Sequence, residues 1–465
     1  MSTKQDKLLE KEIELIQNAI KIAEIKKNRD LTKSPVIKNI FKILEDFLKE
    51  KKLVCYGGTA INNILPKSDQ FYNKDIELPD YDFFSPNSLE TAKELANLYY
   101  LKGFDEVEAK AGVHFGTYKV YVNFIPIADI TQLDYEIFKK LQEKAISRHG
   151  ILYAPPNYLR MAAYLELSRP EGDVSRWEKV WKRLVLLNKN YPLKEIDCSI
   201  DDIIKDIELP FKSKDVIFKT VLDSAIKQKL VFFGTYAMYQ YSKYLPDAKN
   251  KKLSKHPEFD VLAIEPEEAA NEIKKSLHKK GVKNISISHN KSIGEIIPEN
   301  YIVKVNHKPI IYIYKTIACH SYNTIKISNK TVRVASIDTM LSLYLAFLFS
   351  NREYYDSNRI LCIAQYLFLI QIKNRLSQKG LLKRFTTKCY GKQQTLEDIR
   401  ALKVFKYNEL KKEKNSAKYN EYFLRYIPLQ QHIKKIKNNT KKNKINKTKP
   451  NKTKRNKTKR NKSSK

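Results

Sequence analysis

The stretch Leu53-Val-Cys-Tyr56-Gly57-Gly58-Thr59-Ala-Ile-Asn-Asn-Ile-Leu65 is followed by a polar segment as far as Pro79, and then by Asp80-Tyr81-Asp82-Phe83-Phe84-Ser85. The apolar run Leu53 to Tyr56 has the length and composition of a short buried strand. Gly57 and Gly58 mark a turn, and Ala60 to Leu65 suits a helix. After the proline-bounded loop, Asp80 and Asp82 open a second strand. Side chains two apart on a strand share a face, so these two carboxylates can hold the same metal ions. Glycines let a backbone approach a ligand closely, and amides at a helix start suit phosphate oxygens. A nucleoside triphosphate carried with magnesium satisfies both halves. Either motif alone marks only a turn or a solvated loop; their order, with a helix between them, makes the pair informative.

A third acid strengthens the reading. Tyr118-Lys-Val-Tyr-Val-Asn-Phe124 alternates as a strand does, and Ile125-Pro-Ile-Ala-Asp129-Ile-Thr follows it with one acid inside an apolar run. An unpaired acid is costly in a core, so Asp129 is expected to face the same site. The alternative is a strand-end acid that caps the next turn.

The stretch recurs. Ile40–Gly57, IFKILEDFLKEKKLVCYG, aligns without a gap on Ile217–Gly234, IFKTVLDSAIKQKLVFFG, with eight identities in eighteen. Pro79-Asp-Tyr-Asp82 then meets Pro257-Glu-Phe-Asp260, Gly103 meets Gly281, and Tyr118-x-Val-x-Val-Asn123 meets Tyr301-x-Val-x-Val-Asn306. The chain is expected to hold two copies of one α/β unit. The copies differ where chemistry would sit: Gly58 becomes Thr235, Asp80 becomes Glu258, and Tyr312 falls at the place of Asp129. A tyrosine does not replace a carboxylate around Mg²⁺, which demands hard oxygen ligands. The leading copy is therefore expected to be active, and the trailing copy to serve packing and RNA contact.

The bulk properties limit the partners. The 465 residues carry a net charge of +35. The last 32, Lys434–Lys465, hold 16 Lys or Arg and no acid, which leaves +19 on the rest. A polyanion is the expected partner, nucleic acid ahead of a membrane surface, although heavy use of Lys, Asn and Ile also fits an AT-rich genome. Five widely spaced cysteines without a C-x-x-C pair argue against structural zinc and against a secreted disulfide framework. The charged, amphipathic start is no signal peptide. The longest apolar run, Met340–Phe349, is too short to span a bilayer and reads as a buried helix. Residues 384–427 interleave basic and aromatic side chains, which suits single-stranded nucleic acid and equally suits the core of a terminal helical layer. The tail repeats Asn-Lys-Thr-Lys at 446–449, 451–454 and 456–459, with almost nothing apolar to bury, so disorder and non-specific nucleic-acid attraction are expected.

Together, Tyr56-Gly-Gly-Thr-Ala-Ile-Asn62, Pro79-Asp-Tyr-Asp-Phe-Phe-Ser85, Ile127-Ala-Asp-Ile130 and Leu165-Glu-Leu-Ser-Arg-Pro-Glu-Gly-Asp-Val-Ser-Arg-Trp177 resemble the polymerase-beta-like nucleotidyltransferase superfamily. Within it they resemble the poly(A) polymerase catalytic subunits of large DNA viruses. The resemblance covers roughly residues 35–370. Threonine follows the second glycine where many members have serine, so a hydroxyl is kept. The resemblance implies addition of AMP from ATP to RNA 3′ ends. It places two Mg²⁺ (or Mn²⁺) ions on Asp80, Asp82 and Asp129, with Asp129 also a candidate general base, and the triphosphate on Gly57, Gly58 and Thr59. It further implies an RNA 3′ end or poly(A) as partner, a homodimer in place of a separate processivity subunit, no membrane, and an intracellular, cytoplasmic location in a viral factory or virion. Other readings are CCA addition, uridylylation or oligoadenylate synthesis, an idle RNA-binding scaffold, and a small-molecule nucleotidyltransferase.

The expected organisation is a mixed α/β (α+β) chain of two duplicated nucleotidyltransferase-like units with flanking helices. An N-terminal helical segment spans 1–34, the catalytic unit 35–150, a helical connection 151–212, the degenerate unit 213–330, a C-terminal helical region 331–432 and a disordered basic tail 433–465.

Overall fold

The computed structural model describes residues 4–73, 75–193, 198, 203, 207–209, 211–244, 256–352 and 354–433. The expected tail, apart from Ile433, lies outside the described residues.

Two helices lead in, α1 (Lys4–Lys33) and α2 (Pro35–Lys51). Pro35 sits in the first turn of α2, where its missing N–H costs nothing. The helix buries Ile37, Ile40, Phe41, Ile43, Leu44, Phe47 and Leu48, one apolar face at helical spacing. Each such side chain contributes about 1.5–3 kcal/mol when fully buried. Lys52, in the left-handed region at φ 50°, ends the helix and turns the chain into the first sheet.

The first unit contains β1 (Val54–Tyr56), α3 (Gly57–Ile64), β2 (Tyr81–Ser85), α4 (Ser88–Leu101), β3 (Val107–Ala111), β4 (Thr117–Val122), β5 (Ile125–Gln132), α5 (Tyr135–Lys144), β6 (Ile146–Arg148) and β7 (Ile151–Tyr153). Helices α6 (Pro156–Leu167) and α7 (Trp177–Asn190) follow it. The second unit contains α8 (Phe211–Lys227), β8 (Val231–Phe232), α9 (Thr235–Tyr241), β9 (Phe259–Ala263), α10 (Pro266–Lys279), β10 (Ile285–Asn290), β11 (Asn300–Val305), β12 (Lys308–Lys315), β13 (His320–Ile327) and β14 (Lys330–Ala335). The chain continues through α11 (Ile337–Phe347), α12 (Ser357–Lys373), β15 (Cys389–Tyr390), α13 (Leu396–Leu410), α14 (Ala417–Phe423) and β16 (Arg425–Tyr426).

The duplication read from the sequence is present strand for strand. The first sheet runs β16-β3-β4-β5-β2-β1-β7-β6 and the second β10-β11-β12-β9-β8-β14-β13-β15. Seven strands correspond, in the same order and with the same directions. The acid-bearing strand lies antiparallel to the short entry strand in both copies (β2 on β1, β9 on β8) and parallel to the longer one (β2 beside β5, β9 beside β12). Even the irregularities repeat. A bulge falls at Val120/Tyr121 and at Val303/Lys304, and the turns after β4 and β11 place Asn123-Phe124 and Asn306-His307 at positive φ.

Each sheet also gains a strand from the C-terminal region: β16 pairs with β3, and β15 with β13. This departs from a purely helical 331–432. The units meet through the corresponding helices α6 and α11, which pack on each other. Helix α11 is buried along its whole length, as its apolar run predicts.

Two local readings of the sequence need correction. Ser85-Pro86-Asn87 reads as a helix opening with Ser85 as cap and Pro86 as first residue, but Ser85 does not cap α4 and Pro86 lies before it. Ser85 stays in β2, and its hydroxyl accepts from the Asn87 amide (3.0 Å), so the helix starts at Ser88. The cysteine spacing concealed two pairs: Cys198 is disulfide-bonded to Cys362 and Cys319 to Cys389, leaving Cys55 free and buried. Partners 164 and 70 residues apart become neighbours only through the tertiary fold.

Candidate active site

Helix α3 begins at Gly57 itself, directly on the end of β1, so both glycine amides stand in the first turn. Gly57 has φ +72°, and a Cβ there would lie 2.7 Å from Asp82 Oδ2. Only glycine tolerates both conditions. A Cβ on Gly58 would meet the Tyr72 hydroxyl at 2.5 Å and the Arg183 guanidinium at 2.8 Å. The glycine pair thus lets one acid and one arginine close on the same helix start. Thr59 is buried, and its hydroxyl donates to the Asp80 carbonyl (2.6 Å). The group that the sequence assigns to phosphate is here a tether for the acid-bearing strand.

Asp82 and Asp129 are register partners on the adjacent parallel strands β2 and β5, and Tyr56 is the partner of Asp82 on its other side. Asp80 lies just ahead of β2, two residues before Asp82, and acts on it. The electrostatics record the convergence. Burial, then Asp80, then Asp129 push Asp82 up to about 7. Burial and Asp129 raise Asp80, against the opposing pull of Lys119, Lys179 and Arg183. Asp80, Asp82 and Asp129 thus act on one another beside Gly57 and Gly58, although their carboxylate oxygens do not all close to within 4.8 Å of one another. Like charges held this close, half-buried, call for a cation. One is built in: the Lys119 ammonium, opposite Asp129 on β4, donates to Asp129 Oδ2 (2.5 Å). Carboxylate oxygens with a raised proton affinity are a donor set that suits a hard divalent ion.

Sequence reasoning missed the basic side of the site. Arg176, Lys179 and Arg183, spaced three and four apart at the start of and along α7, all act on the acids: Arg176 lowers the proton affinity of Asp82, and Lys179 and Arg183 that of Asp80. The spacing was a legible signal, since it puts the three on one helix face. Arg183 is held by a local frame. Asn62 Oδ1 accepts from the Phe71 and Tyr72 amides (2.8 and 2.9 Å), Arg183 donates to the Tyr72 hydroxyl (2.6 Å), and its guanidinium lies over both rings (5.1 and 5.6 Å).

The second copy answers the same geometry differently. Tyr312 is the register partner of Asp260, as Asp129 is of Asp82. Gly234 crowds Asp260 just as Gly57 crowds Asp82. Where Arg183 of α7 stands in the first copy, the second has Arg359 of α12. Its guanidinium lies 3.7 Å from Glu258, donates to the Thr235 hydroxyl (3.1 Å) and to the Ile203 carbonyl (3.1 Å). A tethered cation stands beside the counterparts of Asp80 and Gly58.

A glycine pair opening a helix against these acids, on a mixed sheet of this order, suits the class of site that handles a metal-borne triphosphate. Comparison with known proteins narrows the class. Residues 42–173 match the family model described as poly(A) polymerase catalytic subunit. Over 419 residues the chain is 24% identical to a protein named as a poly(A) polymerase catalytic subunit from Acanthamoeba polyphaga mimivirus, covering 81% of this chain and 71% of that protein. A protein of the same name from African swine fever virus is 32% identical over 182 residues, 38% of each chain. The crystal structure of the Megavirus polyadenylate synthase shares the fold, with TM-score 0.77 at 20% identity over 97% of this chain and 91% of that one. The chain is therefore similar to proteins named as poly(A) polymerase catalytic subunits of large DNA viruses, and its matched segment holds all three acids and both glycines.

Proposed function

We propose that this chain is a template-independent poly(A) polymerase that adds AMP from ATP to RNA 3′ ends and releases pyrophosphate. The observation that carries this reading is the meeting of Asp80, Asp82 and Asp129 on the open face of the first sheet, with the basic face of α7 across from them. Asp80 and Asp82 would hold a pair of Mg²⁺ or Mn²⁺ ions, with Asp129 on one of them. Bound there, the ions supply charge neutralisation at phosphorus and activation of the attacking hydroxyl. The amides of Gly57 and Gly58, Lys179 and Arg183 hold the triphosphate oxygens, and Thr59 keeps Asp80 in place through its carbonyl. Asp129, poised against Lys119, takes the proton from the RNA 3′-hydroxyl. Catalysis is then positioning and charge stabilisation.

The catalytic unit, expected over 35–150, extends through β7 to Tyr153, and the degenerate copy, expected over 213–330, extends through β14 to Ala335, with Arg359 in its place for cations. No described helix is long and apolar enough to cross a membrane, and the reading places the protein in the cytoplasm, in a viral factory or virion. A homodimer completes the reading. Helix α1 leaves Leu9, Ile13, Ile16 and Ile20 exposed along one stripe. Its first part (4–14) carries four acids and three bases, its last part (21–33) five bases and two acids, so two copies match antiparallel.

Primer extension of a short RNA, with each of the four NTPs in turn, tests the activity. ATP with a divalent ion is expected to give long products and Asp82→Asn none. A preference for CTP or UTP, or equal extension by Asp82→Asn, refutes it.

A further inference from the structure

A groove of about 610 Å³ runs along the open face of the first sheet, next to the acids. That is within the range of pockets that hold compact ligands, about 300–1,000 Å³. Its floor includes Tyr56, Phe84 and Thr131; one wall is the loop carrying Phe115, and the other comes from α13 and α14 with Lys403 and Tyr422. Residues Gly294–Ile296 of the second unit complete the lining. The floor is continuous with the catalytic acids. Thr131 stands two residues beyond Asp129 on the same face of β5, and its hydroxyl is 2.8 Å from that of Tyr56, the register partner of Asp82.

We infer that this groove seats the 3′-terminal nucleotides of the RNA being extended, with Phe115 and Tyr422 as the stacking platform for their bases. The inference rests on the polymerase reading above and assigns the primer's place within it. Direction is the first reason. In phosphoryl transfer the attacking and leaving oxygens lie roughly in line on opposite sides of phosphorus. Lys179 and Arg183 gather on the Asp80 and Gly58 side, where pyrophosphate leaves, and no described residue of α7 lines the groove. The groove opens past Asp129, on the side from which the hydroxyl must come.

Chemistry is the second reason. Phe115 is 52% exposed on its loop, yet it lies against Tyr422 with ring centroids 4.7 Å apart. The aromatic surface continues outward to Phe423 (6.1 Å from Tyr422), and the Lys406 ammonium lies 6.0 Å from the Tyr422 ring. Lys403 Nζ donates to the Gly112 carbonyl (2.5 Å), which ties the two walls together. An exposed ring against a half-buried one, beside Lys406, which also pairs with Glu409 (2.8 Å), suits a single strand through stacking without sequence readout. Successive adenines would meet the same surface after each addition.

The test separates primer from nucleotide. Phe115→Ala and Tyr422→Ala are each expected to raise the KM for a short RNA primer roughly ten-fold, within the range found for loss of one base–aromatic stack. The KM for ATP and the kcat at saturating primer should stay within about two-fold of wild type, and Phe115→Trp should restore primer affinity. An unchanged primer KM, or a rise confined to the KM for ATP, overturns the assignment. A second arm needs no turnover: RNA with 4-thiouridine at its 3′ end, irradiated on the full chain, should crosslink to peptides carrying Phe115 or Tyr422. Crosslinks confined to other segments overturn it. A wild-type chain that crosslinks there but adds no AMP would sink the polymerase reading and leave the RNA groove standing.

Discussion

Replacing Asp82 by Asn should make the metal-free protein more stable while destroying its activity. Asp82 is held up at about 7 against an ordinary 3.8 by burial and by Asp80 and Asp129. Its folded-state value is the raised one, so its contribution favours the folded state at low pH. That contribution fades as pH rises, because the unfolded chain releases the proton near 3.8 while the folded chain keeps it until about 7. At 1.36 kcal/mol per unit the gap amounts to about 4 kcal/mol above pH 7, and solvent reaching a half-buried group reduces this to about 2 kcal/mol. The isosteric amide has no proton to lose. Thermal unfolding in EDTA should therefore show the two proteins equal near pH 4. At pH 8 the variant should lead by several degrees, at about 2–4 °C per kcal/mol for a unit of this size. Mg²⁺ should reverse the order at pH 8 by stabilising only the wild type. AMP incorporation by the variant should fall by at least about 100- to 1,000-fold, the scale for losing one preorganised electrostatic group. A variant that is less stable than wild type in EDTA at pH 8 would refute the crowding of acids on which the site is built.

Gly57→Ala should cost about 1–2 kcal/mol of stability from its left-handed backbone alone, and the methyl group should displace the Asp82 carboxylate, so that activity falls far more than the melting temperature. Lys179→Ala and Arg183→Ala should each raise the KM for ATP about ten-fold, as expected for losing a charge-assisted phosphate contact, with primer KM unchanged; equal shifts in both would argue against a triphosphate role. Glu258→Ala should leave turnover intact while lowering stability by about 1–3 kcal/mol, through loss of a partner for the half-buried Arg359; loss of turnover as deep as that of Asp82→Asn would mean the wrong copy was called active. Removing 434–465, with its 16 Lys and Arg, should weaken RNA binding and flatten its dependence on salt while sparing kcat at saturating primer; an unaltered salt slope would show that the tail does not touch the strand.

Much of this fold was legible because its signals are local or repeated. The Leu53–Tyr56 run, the alternation of 118–122 and the eighteen-residue echo each rest on side-chain periodicity, and each became an element at or near the expected bounds. The register of Tyr312 on Asp260 was legible for the same reason, since duplicated strands keep their spacing. The rest depended on distance in the chain. Arg359 reaches the second copy from about a hundred residues past Glu258, and nothing around it in sequence marks it out. The start of α3 at Gly57, ahead of the helix-favouring residues, is set by Asp82 packing over it and escapes propensity. The two disulfides and the strands β15 and β16 escaped for a related cause: segments of two residues carry no period, and their partners are chosen by the finished fold.

One of those short strands has a bearing on how the molecule is made. β16 closes the outer edge of the first sheet: Arg425 reaches Glu108 (2.9 Å), Tyr426 reaches Asn97 (2.8 Å), and Tyr118 donates to the Glu421 carbonyl (2.9 Å), 303 residues away in the chain. At ordinary translation rates about 300 residues take roughly 15–60 s. Throughout that interval β3 waits with a bare edge, and the aromatic wall contributed by α14 does not yet exist. A nascent chain on the ribosome can fold its acids into place well before it can close the outer edge of the same sheet, two strands away.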